Sequence, residues 1–168
     1  AFNIMVYDIY SIKEYSFLNS NTKNNKICMD HQLQPTVTFV LPVQNKQDLV
    51  IEQINSFFKF SEQYPGFCEI IIVTDDFEDK RVYLLWLALK LNKVNHPYVR
   101  TKMIRYATRL DVEELAETGI KNALGEKLIV ATNNLERIEK FLQNNKDMIK
   151  DDISVTSHFL KIETLIKH

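Results

Sequence analysis

The stretch TVTFVLPVQNKQDLVIEQINSFF, residues 36–58, decides the fold class. Its β-branched and aromatic beginning, Thr36–Leu41, predicts a buried strand that ends at Pro42. Asn45, with an aspartate three residues later, is typical of a helix start. The apolar residues that follow recur at helical spacing until the break at Tyr64-Pro65-Gly66: Leu49, Val50, Ile54, Phe57 and Phe58. A strand followed by such a helix is the unit from which parallel sheets are built.

The same unit recurs along the chain. Further strands are predicted at Glu69–Val73, Tyr98–Arg105, Lys127–Ala131 and, as an exposed edge strand, Ile153–Thr156. Helices lie between them, and the one that begins at Asp79 is apolar on nearly all sides, so we expect it to be largely enclosed. The order predicts an α/β fold with a mostly parallel sheet and helices on both faces.

Composition limits the function classes. The 168 residues are 45% hydrophobic and 26% charged, which is typical of a globular domain and excludes a disordered chain. A net charge of -1 indicates no global attraction to nucleic acid, so no nucleic-acid partner is expected. The only glycines are Gly66, Gly119 and Gly125, which excludes the glycine-rich loops that close around phosphates in Walker and dinucleotide-binding turns.

The remaining composition bears on location and domain organisation. Cys28, Cys68 and four scattered histidines lack the clustering of a zinc site, and two thiols are typical of a reducing compartment. No apolar run approaches the roughly 20 residues of a membrane span, so we expect a cytoplasmic protein without a transmembrane segment. Residues 1–35, whose start AFNIMVYDIY predicts a strand or an apolar arm, are interpreted as an N-terminal arm and loop. Residues 36–168 are interpreted as the single folded domain.

Polar residues follow several of the predicted strands, where open α/β sheets bind their ligands. Asp75 and Asp76 form an acidic turn after the second strand, and Thr132 and Asn134 follow the fourth. Carboxylates there could accept hydrogen bonds from a base or ribose, and oxygen ligands could hold a divalent cation against a diphosphate. The alternatives are structural, because Asn45, Asp79 and Asn134 also suit helix N-caps and an acidic turn is commonly a solvated loop.

Four ordered stretches resemble the family 2 glycosyltransferases of GT-A fold, particularly the dolichyl-phosphate sugar synthases. The first is residues 36–58, which resembles the opening strand, turn and helix of the family. EIIIVTDDFEDK (residues 69–80) resembles the strand that leads to its paired aspartates. TGIKNALGEKLIVATNN (residues 118–134) and NLERIEKFLQ (residues 134–143) resemble the strand that delivers its DxD motif and the helix after it. The resemblance implies a nucleotide-sugar-binding domain, and two glycines, Gly119 and Gly125, fall where the family places glycine.

The resemblance also implies a set of nucleotide-binding residues. Pro42, Val43 and Asn45 match the turn that cradles the nucleoside, and Asp75 matches the aspartate that contacts the base. Arg105 or Arg109 is implied as a cation near the base or diphosphate, although neither matches a fixed motif.

The metal-binding motif departs from the family. Thr132 and Asn134 occupy the two aspartate positions of the DxD, which in the family holds Mg²⁺ or Mn²⁺ against the donor diphosphate. Two formal negative charges are therefore missing, and we expect any such cation to be weakly held.

Three functions remain open from the sequence. The resemblance favours an enzyme that transfers a sugar from a UDP- or GDP-sugar to a lipid phosphate, saccharide or protein acceptor. A catalytically inactive GT-A-like binding or assembly module is the alternative, favoured by Thr132, by Asn134 and by acid at Asp111–Glu113 where the family has a basic segment. The chain ends soon after His158, near where the family's acceptor half begins, so a partner chain or a homo-oligomer could supply that half, and His158 is either a general base or a surface residue. A receiver-like signalling domain is a third possibility.

Overall fold

The computed structural model describes residues 4–7, 34–44, 50–76, 78–148 and 153–156. Its strands are β1 Ile4–Tyr7, β2 Val37–Val43, β3 Cys68–Thr74, β4 Arg100–Tyr106, β5 Lys127–Ala131 and β6 Ile153–Thr156. Its helices are α1 Val50–Gln63, α2 Asp79–Asn95, α3 Val112–Asn122 and α4 Leu135–Asn144, followed by a 3₁₀ turn at Lys146–Met148. The predictions for Asn45 and His158 lie outside the described residues.

The strands form one six-stranded sheet in the order β1-β4-β3-β2-β5-β6. Strands β2 to β6 are parallel, and β1 adds antiparallel to β4 at one edge. The chain moves outward from β2 to β4 and then crosses back to the other side of β2, which is the Rossmann-like order with its reversal between β2 and β5. The predicted mostly parallel α/β sheet is confirmed. Receiver domains place their second parallel strand at the edge instead, so this strand order does not favour the receiver-like alternative.

Two apolar layers enclose the sheet, because every residue of β2 and β3 is buried. Helices α1 and α2 cover one face, where the ring of Phe39 lies 4.5 Å from that of Phe57 and 5.2 Å from that of Phe60. Helices α3 and α4 cover the other face with Leu115 and Ile138. The predicted placement of helices on both faces is therefore confirmed.

Strand β2 does not end at Pro42, as the sequence predicted, but continues to Val43. It pairs with β5 only over Val37–Val40, whereas its pairing with β3 continues through Val43. Pro42 therefore lies where β2 has become an edge on the β5 side, and edge positions tolerate the missing N–H of proline. The ladder between β2 and β5 therefore stops before the carboxyl end of β2.

The prediction that the apolar helix α2 is largely enclosed is wrong. One side of α2 is buried through Val82, Leu85, Ala88, Leu89 and Lys93, whereas Tyr83, Leu84, Leu91 and Val94 are exposed. The helix lies in the outer layer of the domain, and nothing among the described residues covers its second apolar side. No helix in the described ranges has the length and apolar character needed to cross a membrane.

Cys68 opens β3 as a buried free thiol. Burial penalises the thiolate and raises the pKa of this thiol to about 12. The group therefore stays protonated at neutral pH, which makes it a poor nucleophile and a poor metal ligand.

Candidate functional site

A cleft of about 500 Å³ lies at the carboxyl ends of β2 and β3. Its lining residues follow three strands and reach the first turn of α3: Gln44, Asp75, Arg109, Leu110, Asp111 and Glu114. The segments after the first three predicted strands therefore converge on one site beside the reversal of strand order, where open α/β sheets bind ligands.

Asp75 is the most enclosed acid of this cleft, with 3% of its surface exposed. It directly follows β3, and its Oδ2 accepts a hydrogen bond from the backbone N–H of Leu110 at 2.9 Å. This bond ties the end of β3 to the segment after β4 and orients the carboxylate. A buried, oriented carboxylate at the wall of a cleft is suited to accept hydrogen bonds from N–H or O–H groups of a ligand.

The start of α3 adds acid to the same cleft. Asp111 is the N-cap of this helix, and Asp111 and Glu114 form a capping box. In it, the Glu114 carboxylate accepts a hydrogen bond from the Asp111 N–H at 3.3 Å. The predicted helix start at Asp111 is thus confirmed. Arg109 is the single basic side chain among the described residues that line the cleft. The lining is therefore net acidic, because it contains three carboxylates and one arginine.

Asp76, the second acid of the turn after β3, does not line the cleft but forms an ion pair with Arg81 of α2. Arg81 donates to both of its carboxylate oxygens, from Nε at 2.7 Å and from Nη2 at 3.0 Å. These hydrogen bonds raise the pKa of the Arg81 guanidinium above its ordinary value. Asp76 is 3% exposed and therefore forms a buried half of an ion pair that anchors the start of α2.

Arg105 also points toward the start of α2. Its Nε donates to the backbone carbonyl of Asp76 at 3.0 Å, and its Nη1 lies 2.8 Å from Asp79 Oδ1. The sequence left Arg105 and Arg109 as alternatives for a cation near the ligand. The structure brings Arg109 to the cleft wall and places Arg105 beside the acidic turn.

Thr132 and Asn134 connect the end of β5 to the same edge of the sheet. The buried Thr132 Oγ1 accepts from the Asn134 N–H at 3.0 Å, and Asn134 Nδ2 donates to Gln44 Oε1 at 3.1 Å. Asn134 is the N-cap residue of α4, but its side chain makes no capping hydrogen bond. Its amide instead joins the segment after β5 to Gln44, across the reversal of strand order.

The donor chemistry at these two positions does not fit a tightly held metal. Thr132 and Asn134 offer a hydroxyl and an amide, both neutral and both already hydrogen-bonded, whereas Mg²⁺ and Mn²⁺ sites in proteins rely on carboxylates. Within the described ranges, no group of three or more His, Cys, Asp or Glu side chains is placed to hold a metal ion.

The structure describes Pro42 and Val43 of the turn that was predicted to bind the nucleoside. Pro42 and Val43 are buried in β2, and Val43 belongs to the core beneath α1, so both position Gln44 from within the sheet. Gln44, whose side chain lines the cleft, was noted in the sequence only as a departure from the resemblance. Sequence reasoning missed two cleft residues, Leu110 in the segment after β4 and Glu114 in the first turn of α3. The signal that could have found them was that this segment and helix start follow the carboxyl end of a strand.

Comparison with protein-family models and with curated proteins finds no match to this chain.

Proposed function

We propose that the cleft binds the nucleoside diphosphate part of a nucleotide sugar, and that the domain is the donor-binding domain of a glycosyltransferase-like protein of GT-A type. One observation carries the proposal: a buried carboxylate, Asp75, is held in position by the Leu110 N–H at the wall of a cleft of about 500 Å³. The location at the carboxyl ends of β2 and β3, beside the reversal of strand order, supports it. The volume also falls within the range of small-molecule sites, about 300–1,000 Å³.

In the proposed complex, the Asp75 carboxylate accepts a hydrogen bond from an N–H group of a uracil or guanine base. The side chain is almost fully desolvated, which strengthens a charge-assisted hydrogen bond relative to one in water. Arg109 provides the cation for the diphosphate, because a guanidinium can pair with two phosphate oxygens at once.

Thr132 and Asn134 would contribute a hydroxyl and an amide oxygen, but no negative charge, to a Mg²⁺ or Mn²⁺ ion bound with the diphosphate. Such an ion would supply charge compensation for the departing diphosphate. We therefore expect nucleotide binding to depend only weakly on the metal.

The proposed reaction is the transfer of the sugar to an acceptor. An oxygen of a lipid phosphate or of a saccharide hydroxyl attacks the anomeric carbon of the sugar. The bond between that carbon and the β-phosphate oxygen breaks, and its electron pair leaves with the nucleoside diphosphate. A hydroxyl acceptor also releases its proton to a base, whereas an ionised lipid phosphate has none to release.

Replacement of Asp75 by asparagine tests the binding proposal. In calorimetric titrations with UDP, GDP and their sugars, we expect Asp75→Asn to weaken binding about 10-fold or more, because a charge-assisted hydrogen bond contributes roughly 1.5–3 kcal/mol. The matched control is Glu126→Gln, which removes the same charge from an exposed residue before β5, at the opposite edge of the sheet. It should change the Kd less than about twofold.

The same titrations in Mn²⁺ and in a chelator should give Kd values within about threefold of each other, because the site adds no carboxylate to the metal. A folded wild-type chain that shows no binding at millimolar nucleotide would rule out the proposal.

A binding module without transferase activity is the second candidate, and the neutral pair Thr132 and Asn134 favours it. The two functions are separated by turnover of a panel of nucleotide sugars, measured as release of nucleoside diphosphate. Release that Asp75→Asn abolishes supports the enzyme. Nucleotide binding without release, over a panel that includes both UDP- and GDP-sugars, supports the binding module.

A further inference from the structure

Gln44 and Asp75 follow neighbouring parallel strands at the same level of the sheet. Strands β2 and β3 stay paired to their last residues, and Gln44 and Asp75 are the next residue on each. Val40 of β2 and Val73 of β3 belong to the core beneath α3, and side chains an even number of residues further along a strand point to the same face. Gln44 and Asp75 continue that alternation, and both line the cleft beside the start of α3.

The amide of Gln44 is oriented by a residue that follows β5. Asn134 Nδ2 donates to Gln44 Oε1 at 3.1 Å. Asn134 is itself held in place, because its backbone N–H donates to the buried Thr132 Oγ1 at 3.0 Å. An amide group that turns its oxygen to one side presents its nitrogen, which carries two N–H donors, to the other. The wall of the cleft therefore offers a hydrogen-bond donor, from Gln44, beside the acceptor Asp75.

A donor beside an acceptor is complementary to one kind of base edge. Uracil and guanine carry a ring N–H next to a carbonyl oxygen, whereas cytosine and adenine carry an unprotonated ring nitrogen next to an amino group. An amino base in the same position would turn the lone pair of its ring nitrogen to Asp75 and its amino hydrogens to the Gln44 N–H. Both contacts would be mismatched, and mismatched polar groups in an enclosed site lower affinity.

We propose that Gln44 is the base-selecting residue of this cleft and that Asn134 positions it. In the complex, the Gln44 N–H donates to the carbonyl oxygen of uracil or guanine, next to the ring N–H that donates to Asp75. The cleft then takes keto bases and rejects amino bases. Base selection by Gln44 rests on the proposed function, and it adds the residue that discriminates among nucleotides.

UDP and CDP are a matched pair of probes, because uracil and cytosine have the same ring size and differ only at this edge. In calorimetric titrations of the full chain in a chelator, we expect the Kd for CDP to be at least about 10-fold higher than that for UDP. IDP and ADP are the corresponding purine pair, and the keto member should again bind more tightly if the cleft admits purines.

Gln44→Met tests the donor, because methionine keeps the length of the side chain and removes its N–H groups. We expect UDP to bind about fivefold more weakly and CDP to stay within about twofold, since only UDP loses a hydrogen bond. The matched control is Gln63→Met, at an exposed residue that ends α1 at the amino edge of the sheet, and it should leave both Kd values unchanged. A merely structural role of Gln44 would weaken both nucleotides by the same factor.

Asn134→Asp tests the positioning. The new carboxylate only accepts hydrogen bonds, so it draws Gln44 Nε2 toward itself and turns Gln44 Oε1 to the ligand. The preference for UDP over CDP should then fall at least about fivefold. The matched control is Asn133→Asp, which adds the same charge at the exposed neighbouring residue and should keep the preference within about twofold. Aspartate is also favoured at an N-cap, so the fold should be retained, and the chelator prevents the added charge from acting through a metal.

The outcomes separate base selection from nucleotide binding. Equal Kd values for UDP and CDP, both raised by Asp75→Asn, would overturn selection by Gln44 and leave the nucleotide site standing. A preference for CDP would also overturn it, because Gln44 would then offer its oxygen to the ligand. A preference for UDP that Gln44→Met leaves unchanged would assign the selection to another residue. A folded chain that binds none of these nucleotides at millimolar concentration would overturn the proposed function as well.

Discussion

Replacement of Gly125 by alanine is expected to destabilise the domain by about 3 kcal/mol or more, at the upper end of the range for overpacked cores. A Cβ atom at this position would lie 2.6 Å from the backbone nitrogen of Thr38 and 2.8 Å from the carbonyl carbon of Val37. The conflict is with backbone atoms of β2, a strand buried on both faces, so no rotamer change relieves it. The Gly125 N–H also donates to Thr38 Oγ1 at 2.9 Å, and relief of the conflict would break that bond.

Gly66→Ala is the matched control for this experiment. Its Cβ would also meet a threonine hydroxyl at 2.6 Å, but its three nearest atoms all belong to side chains, those of Thr36 and Tyr64. The hydroxyl of the partly exposed Thr36 can turn away, and the Thr36 Cβ at 3.0 Å has to yield by only a few tenths of an ångström, so we expect a loss of only about 1 kcal/mol. Urea unfolding gives both values, provided that the slope m is unchanged. Equal losses for the two variants would contradict the argument from the β2 backbone.

Replacement of Glu69 by alanine is expected to cost about 3 kcal/mol of stability, because it removes a fully buried carboxylate that accepts two hydrogen bonds and pairs with the partly exposed Arg100. Glu69 is fully buried at the amino end of β3. Its Oε1 accepts from Thr38 Oγ1 at 2.7 Å and from the Leu124 N–H at 2.8 Å, while Oε2 lies 3.1 Å from Arg100 Nε. Alanine would leave the Leu124 N–H without this acceptor and would leave a cavity beside it.

Two further variants separate the contributions at this position. Glu69→Gln keeps an acceptor for the Leu124 N–H and loses only the charge, so its cost should be smaller, about 1–2 kcal/mol. Glu117→Ala removes an exposed ion pair with Lys121 on α3 and should cost less than about 1 kcal/mol. A cost for Glu69→Ala as small as that of Glu117→Ala, measured by urea unfolding, would show that this buried cluster does not stabilise the domain.

These two predictions concern the amino edge of the sheet, whereas the cleft lies at the carboxyl edge. The two glycines that the family resemblance singled out are explained by packing. Gly125 allows the chain to pass beside the β2 backbone, and a Cβ at Gly119 would lie 2.3 Å from Val40 Cγ1 where α3 crosses β2. Both glycines stabilise the scaffold that carries the site, and neither lines the cleft.

The fold was predictable because its signals are local. Short runs rich in β-branched residues, such as Val37–Leu41 and Glu69–Val73, favour strands covered on both faces, and the periodic segments between them favour helices that cover those faces. The environment of α2 was not predictable in the same way. The apolar residues of a helix show which sides could be buried, but whether a further layer covers the second side depends on where the helix lies in the fold.

The candidate site likewise has features that the sequence predicts and features that it does not. The alternation of predicted strands and helices along the chain predicts that Asp75, Thr132 and Asn134 follow strands. Because those strands are parallel, their carboxyl ends meet at one edge of the sheet. The sequence could not show that Leu110 orients Asp75, that Asn134 reaches Gln44, or that Arg109 rather than Arg105 lines the cleft. Each of these contacts joins segments that are distant in sequence, and their geometry depends on the paths of the loops.

By itself, the sequence therefore determined an α/β domain with a parallel sheet, its strand and helix positions, and the edge where polar residues gather, since each follows from the periodicity of neighbouring residues. Only the tertiary structure decided which of those polar residues share a cleft, which acid is neutralised by Arg81, and which apolar side of α2 is left exposed. The physical reason is that burial and charge pairing depend on which segments meet in space, and no local pattern contains that information.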